Sequence, residues 1–432
     1  MIRTIDARQG DVAELVSLRR RTLEEVSPEV ESTVRSILAD VRDRGDSAVV
    51  DYTRQFDCPT FTPDRLRVGE QEIDRAYEQV PSRWITAFVH ARDNIAQFQE
   101  RAKCRSWLDT FDGLTMGHRV TPVASAGVYA PARNAPLPSS LCAAAVPAKV
   151  AGVSRVVLAT PPRDDGSVDP TMLVAARECG VDEVFRMGGA QAVAALAYGT
   201  ESIRPVLKVV GPGPSWVQVA KKLAFGLVGI ESLAGPSESL IVADASASPR
   251  LVAADMLTQA EHTGDNATLL ITDSEDLAAA VEAEMEAQLQ RLPRAQLTRR
   301  SLEQHSYIVI TATIEQAVEI ANDIAPEHLQ ILTQRPFDVL EAIRNAGCIF
   351  LGDRAPVPFG DYAAGPSHVL PTYGTARFSS PLSVNDFLTV SSVIYANADG
   401  FDRLADDVVT LANAEGLDAH AETIRLRQRI WD

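Results

Sequence analysis

The amino-acid sequence predicts an α/β protein with two doubly wound parallel-sheet units behind a helical amino-terminal region. Between 120 and 238, short runs of β-branched and apolar residues alternate with helix-length segments, and the pattern recurs between 239 and 352. Strands that are apolar on both faces and separated by helices belong to parallel sheets covered on both sides. A third observation sets the first 110 positions apart: their apolar residues recur at helical spacing.

In that first region Leu15, Leu18, Leu23 and Val26, then Val34, Ile37, Leu38 and Val41, mark amphipathic helices. Gly45, within Arg42-Asp-Arg-Gly-Asp46, punctuates a helix end and a restart. Two more helices are predicted between 73 and 103, divided near Pro81. In the first sheet unit the predicted strands are 127–130, 155–159, 183–187, 207–210 and 229–233, with helices over 139–151, 171–179, 190–198 and 215–225. In the second unit the strands are 239–243, 267–272, 307–311 and 348–352, with helices near 249–261, 276–291, 314–323 and 336–346. Sheets wound in this way bind ligands at the carboxyl ends of their strands. The shared rhythm is compatible with an ancient duplication, although no residue-level repeat stands out.

The 432 residues carry a net charge of −17, with 46% hydrophobic and 23% charged residues. Such a chain is long enough for more than one core and has the composition of an ordinary globular protein. Its acidic balance argues against nucleic acid or an anionic membrane as a partner. No apolar run approaches the roughly 18 residues of a membrane span, and the first ten residues hold no signal-peptide core. The five cysteines (Cys58, Cys104, Cys142, Cys179, Cys348) are scattered and form no Cys-x-x-Cys pair. They read as reduced thiols of a cytoplasmic protein, each buried as a small apolar side chain.

Chemistry gathers around the scarce histidines. Gln259 and His262 are three apart on a helix stopped by Thr263-Gly264, so both side chains lie on one face. Imidazole is the commonest protein ligand for zinc and an amide oxygen a rarer one, against which stands an ordinary structural histidine. Ala325-Pro-Glu-His328 places Glu327 beside His328 at a helix start, where adjacent side chains diverge toward two points of one substrate. Asp361 and His368 are seven apart in a Gly/Pro-containing loop, and Glu415 and His420 five apart on the run into the last helix. Val210-Gly-Pro-Gly-Pro-Ser-Trp216 is either a phosphate cradle or a tight strand-to-helix turn. Ser237, in Ala234-Gly-Pro-Ser-Glu238, is either a ligand contact or a turn cap. Taken singly, each pair is structural or solvated as readily as catalytic.

Taken together, these motifs resemble the histidinol dehydrogenase family. The resemblance is carried by Gln-Ala-Glu-His (259–262), Pro-Glu-His-Leu (326–329), Gly-Asp-Tyr-Ala-x-Gly-Pro-x-His-Val-Leu-Pro-Thr (360–372), Ala-Arg-Phe-Ser-Ser-Pro-Leu-Ser-Val (376–384) and Glu-Gly-Leu-x-Ala-His-Ala-Glu (415–422). Val-Pro-Ala-Lys-Val-Ala-Gly (146–152), Gly-Gly-Ala-Gln-Ala (188–192) and Ala-Gly-Pro-Ser-Glu (234–238) add to it, in the family's order and spacing.

The resemblance implies two incomplete Rossmann-like domains, an amino-terminal helical extension (1–28) and a small helical carboxy-terminal domain (381–432). Residues 29–126 with 239–380 would form the domain carrying zinc and the catalytic residues, and 127–238 the cofactor side. It implies a cytoplasmic, intertwined homodimer whose tail completes the partner's site, with one zinc per chain and NAD as cofactors. The implied reaction is oxidation of L-histidinol, or a related small amino alcohol, through an aldehyde to a carboxylate. The implied zinc ligands are Gln259, His262, Asp361 and His420, and the catalytic pair is Glu327 and His328. The substrate set adds Ser237, His368 and Glu415 to His328 and the zinc ligands. Tyr129, Gln191 and the position of Pro214 would contact the cofactor. A base near neutral suits removal of the carbinol proton, which points to His328; Glu327 would activate the water that hydrates the aldehyde. The metal would act mainly as a template.

The chain departs from the family around the cofactor and substrate. The family's Pro-Gly-Gly after Tyr129 is Pro131-Ala132-Arg133, an aromatic position is Leu137, and Ser367 replaces the Asn before His368. The family's Asn after Gly-Pro-Gly is Pro214, which cannot donate a hydrogen bond, and Asn385 and Thr389 replace a Tyr and a Lys. These changes keep other readings open: another alcohol or polyol as substrate, an acid–base reaction without NAD, and, least favoured, a non-catalytic binder.

Overall fold

The structure, a computed structural model, describes residues 2–9, 27–133, 135–235, 237–261 and 266–431. The expected helices around Leu15, Leu18, Leu23 and Val26 fall outside those residues, as does His262. Two compact units emerge: residues 1–102 with 124–387, and residues 103–123 with 388–432.

The larger unit has a strand, β1 (Arg3–Asp6), where the sequence predicts a helical extension. Helices α1 (Pro28–Arg44), α2 (Asp46–Phe56), α3 (Glu70–Gln79) and α4 (Ser82–Ala102) follow. The start of α1 is specified locally. Ser27 accepts the Val30 N–H, Pro28 opens the helix, and Glu29 and Glu31 occupy the positive end of its dipole. Gly45, at φ 58°, ends it and lets α2 start afresh.

The first sheet has strands β4 (Ser125–Tyr129), β5 (Arg155–Thr160), β6 (Glu183–Arg186), β7 (Lys208–Val210) and β8 (Gly229–Ile230). Helices α5 (Pro138–Ala151), α6 (Pro170–Glu178), α7 (Gly189–Tyr198) and α8 (Ser215–Ala224) connect them. The order is β6-β5-β4-β7-β8, all parallel. The winding reverses between β4 and β7, which opens a crevice at their carboxyl ends. Val34, Ile37, Leu38 and Val41 of α1 are buried with Phe185, Met187 and Leu196, so the amino-terminal helices cover one face of this sheet. Each such side chain contributes roughly 1.5–3 kcal/mol by leaving water.

The second sheet holds β9 (Glu238–Ala243), β10 (Ala267–Thr272), β11 (Tyr307–Ile310), β12 (His328–Leu332) and β13 (Cys348–Leu351) in the parallel order β1-β11-β10-β9-β12-β13. Along β9, Ile241 and Ala243 pack under one helical layer and Leu240 and Val242 under the other. The helices are α9 (Pro249–Ala260), α10 (Glu275–Leu289), α11 (Ala295–His305), α12 (Ile314–Ile324), α13 (Pro336–Leu340) and α14 (Val357–Tyr362).

The second unit is not purely helical. Strand β14 (Leu388–Ala396) pairs antiparallel with β3 (Leu114–Pro122), which pairs with β2 (Trp107–Phe111). Helices α15 (Ala398–Ala414) and α16 (Asp418–Trp431) complete it, with Phe401 edge-on to Trp431 at 5.1 Å. Residues 103–123 thus belong with the tail, not with the α/β region where the sequence had placed them. Among the cysteines, Cys104 is exposed and Cys348 only half-buried, contrary to the expectation of five buried thiols.

Candidate active site

The strongest correction concerns Glu327 and His328. They do not open a helix. Helix α12 ends at Ile324, Ala325 turns left-handed at φ 53°, and His328 is the first residue of β12. A non-glycine residue in that region is strained, so the surrounding fold enforces this turn. It delivers Glu327 and His328 beside the start of β9, with 5% and 4% of their surfaces exposed.

Both side chains read the same backbone residue. The Glu238 N–H donates to Glu327 Oε2 at 2.8 Å, and His328 Nδ1 lies 3.1 Å from the Glu238 carbonyl oxygen. A carbonyl only accepts, so Nδ1 carries the proton and the neutral ring keeps its lone pair on Nε2. Nε2 is buried without a hydrogen-bond partner among the described residues, and Asp361 Oδ1 stands 3.7 Å away. Ser237 lies close enough to Glu327 to favour its charged form.

Electrostatics tie the three groups together. Burial pushes the Glu327 carboxyl up, against the His328 charge and the Glu238 N–H, which lower it. Burial alone would lower His328, but the Glu327 and Asp361 carboxylates outweigh it and raise the imidazole to about 9. Cys348, paired with His328 in the sheet register, is pushed up to about 11 by burial and then by Asp361, which makes it a neutral thiol.

The other expected residues fall in several places. Gln259 sits in the last turn of α9 and is 1% exposed. That helix ends at Ala260, and His262 lies outside the described residues. Asp361 is on α14, beside His328. His368 Nε2 meets the Ser140 hydroxyl at 3.1 Å, which links its loop to the first turn of α5. Ser237 immediately precedes β9. Glu415 and His420 belong to the second unit, where both are exposed. Among the described residues no cluster of three or more His, Cys, Asp or Glu is arranged to hold a metal. Gln259 and Asp361 nevertheless supply a buried amide and a partly exposed carboxylate, hard oxygen donors compatible with zinc.

The expected cofactor residues converge on the crevice between β4 and β7. Tyr129 ends β4 at 3% exposure, and its hydroxyl accepts the Gly189 N–H at 3.3 Å at the start of α7. Burial pushes the Tyr129 phenol up to about 12. Gln191, in the first turn of α7, is 1% exposed with neither amide atom hydrogen-bonded among the described residues. Pro214 is the N-cap of α8 and offers no side-chain bond. Gly211 approaches the Tyr129 carbonyl so closely at φ 118° that no Cβ fits there. A buried ion pair fixes the turn from behind: Lys221 Nζ bonds Glu231 Oε1 at 2.7 Å and the Gly211 carbonyl at 3.2 Å.

Sequence reasoning missed Asp57, Lys221, Glu231, Ser140 and the backbone of Glu238. The second halves of the Asp57–Arg133 and Glu238–Glu327 contacts lie 76 and 89 residues away, so no local motif marks them.

Comparison with known proteins first gives the class. The crystal structure of an acetylating aldehyde dehydrogenase from Geobacillus thermoglucosidasius shares the fold, at a TM-score of 0.50 and 14% identity over 89% of this chain and 94% of that one. This likeness shows an α/β architecture alone. The particular family follows from closer matches. The histidinol dehydrogenase family model matches residues 19–428. Histidinol dehydrogenase from Heliobacterium mobile is 47% identical over 411 residues, 95% of this chain and 96% of its own length. That from Synechococcus sp. is 46% identical over 433 residues and the whole of both chains. The crystal structure of histidinol dehydrogenase from Elizabethkingia anophelis superposes with a TM-score of 0.94 at 31% identity, over 100% and 98% of the two chains. The chain belongs to the histidinol dehydrogenase family.

Proposed function

We propose that the chain oxidises L-histidinol to L-histidine in two NAD-dependent steps with zinc bound, as part of histidine biosynthesis. The observation that carries the chemistry is the Glu327–His328 pair, held by opposite poles of the Glu238 backbone with Nε2 of His328 left for a substrate. Full-length identity of 46% to relatives named for this activity supports the substrate.

In its neutral form, which the raised imidazole reaches only by giving up its second proton, His328 takes the hydroxyl proton on Nε2 as the carbinol carbon gives up hydride, and the Glu238 carbonyl holds the ring in the required tautomer. NAD, when bound, accepts that hydride in each of the two steps. Glu327 takes a proton from the water that adds to the aldehyde carbon; its buried, raised carboxyl is suited to hold it. The resulting hydrate loses a second hydride and a proton to give the carboxylate. Burial around the pair keeps bulk water from it.

Gln259 and Asp361, with His262 and His420, would hold the zinc, which would anchor the substrate's imidazole and amine. With Asp361 so committed, one of the two charges favouring protonated His328 is taken up. Ser237, His368 and Glu415 would orient the substrate. Under this reading two copies of the chain associate, and the second supplies Glu415 and His420.

The test follows absorbance of reduced nicotinamide on L-histidinol with and without a chelator. Chelator-sensitive turnover yielding two reduced cofactors per histidine supports the reading. No turnover with zinc bound would overturn it in favour of another alcohol or a reaction without NAD, the alternative that Pro214 and Arg133 motivate.

A further inference from the structure

Arg133 stands where it can touch the dinucleotide crevice. It follows β4 by four residues, and its side chain is 63% exposed. Among the described residues only its Nη1 is engaged, by the Phe56 carbonyl and by Asp57 Oδ1 at 3.5 Å. Asp57 in turn lies at the α7 N-terminus: a Cβ built on Gly188, the N-cap, would stand 3.3 Å from its Oδ2. The guanidinium is therefore a neighbour of the helix end against which the Tyr129 hydroxyl rests.

That helix end can receive something polar. Gly188 caps it without a side-chain bond, and of its first N–H groups the Gly189 N–H meets the Tyr129 hydroxyl at 3.3 Å. The Gln191 side chain folds back over it, with Oε1 2.8 Å from where a Gly189 Cβ would be, and both its amide atoms are buried and unpartnered among the described residues. The N–H groups of a helix N-terminus and a cation together favour a phosphate.

The opposite wall cannot take that role. Pro212 and Pro214 remove two N–H donors from the turn before α8. The cations nearby are held by carboxylates: Lys221 by Glu231, Arg186 by Glu72 and Arg163 by Asp169. Arg133 has the loosest partnership of these. The Asp57 side chain is buried, one of its oxygens has no hydrogen bond among the described residues, and burial pushes its carboxyl up to about 6, against the Arg133 charge.

We propose that Arg133 is the residue through which this chain grips the phosphates of its nicotinamide dinucleotide, with Asp57 as the positioning residue that holds the guanidinium at the α7 N-terminus. This rests on the NAD-dependent reading above and adds the specific contact that offsets Pro214. It turns a bulky side chain at a position where the family has glycine from an obstruction into a ligand.

The experiment is a titration of the zinc-loaded enzyme with NADH, read by nicotinamide fluorescence at several salt concentrations. It compares the parent with Arg133→Gly, Arg133→Lys and Asp57→Asn, with melting temperatures for each. The expected result is a Kd about tenfold or more higher in R133G, with a flatter salt dependence, an intermediate value in R133K and unchanged melting. D57N is expected to weaken NADH less than R133G does. Binding in R133G equal to or tighter than in the parent would overturn the proposal and make Arg133 a staple between its loop and α2. If the parent itself binds no NADH, the NAD-dependent reading has failed and the proposal fails with it. The two failures are told apart by the parent titration alone.

Discussion

His328 turns its Nδ1 to the carbonyl oxygen of Glu238, 3.1 Å away, at the point where two parallel strands begin. A main-chain carbonyl is a partner that no side-chain substitution at 238 removes, so the orientation of the imidazole is written into the sheet. Glu327 uses the N–H of that same residue.

From this arrangement, Glu327→Gln and His328→Asn are each expected to lower kcat on L-histidinol by about 10²–10⁴-fold. In the first variant the amide still offers an oxygen to the Glu238 N–H, so the fold should persist. Initial rates and zinc content, measured together, check this. A variant that keeps full zinc and turns over within about threefold of the parent would remove that residue from the chemistry.

Zinc is expected at one per chain, and Asp361→Ala and Gln259→Ala should each weaken it by at least about tenfold. Metal analysis after dialysis against a graded chelator reads the affinity directly. Retention equal to the parent in both variants would place the metal elsewhere.

The Lys221–Glu231 pair is a structural prediction. Both side chains are nearly inaccessible, at 1% and 3%, so Lys221→Met strands a buried carboxylate and should cost about 3–5 kcal/mol in urea unfolding. Replacing both, Lys221→Met with Glu231→Leu, should recover most of that loss. A single variant as stable as the parent would show that the pair is not holding the turn.

Asp57 sets a pH dependence. Its carboxyl is raised in the folded chain from 3.8 to about 6, chiefly by burial. The folded state therefore holds its proton more tightly than the unfolded one. The associated stability is fully present below the unfolded value and is lost as pH rises from about 4 through about 6. Asp57→Asn should flatten the stability profile across that window relative to the parent, as read by denaturant midpoints at half-unit pH steps. Parallel profiles for the two proteins would show that Asp57 titrates normally.

Where the sequence was explicit, it was explicit for a physical reason. Runs such as Ser239-Leu-Ile-Val-Ala243 and Ala267-Thr-Leu-Leu-Ile-Thr272 are apolar on both faces, and both became central parallel strands. Strand β12 went unread because two of its five residues, His328 and Gln330, are polar and break the apolar run. Strand β1 is short and polar, and β2 has no buried face in the chain, so neither shows an alternating pattern. The polar motifs named the candidate site residues. Their partners were illegible, because a backbone group at 238 or a carboxylate at 57 is chosen by the topology and carries no composition signal.

Placing β12 beside β9 has a consequence for how activity can arise. Glu327 finds its hydrogen-bond donor 89 residues back along the chain, and the intervening β10 and β11 lie on the far side of β9. A fragment that lacks either β9 or β12 lacks one half of that arrangement. The pair is therefore positioned only by a contact of long sequence separation, the kind that forms slowly in folding.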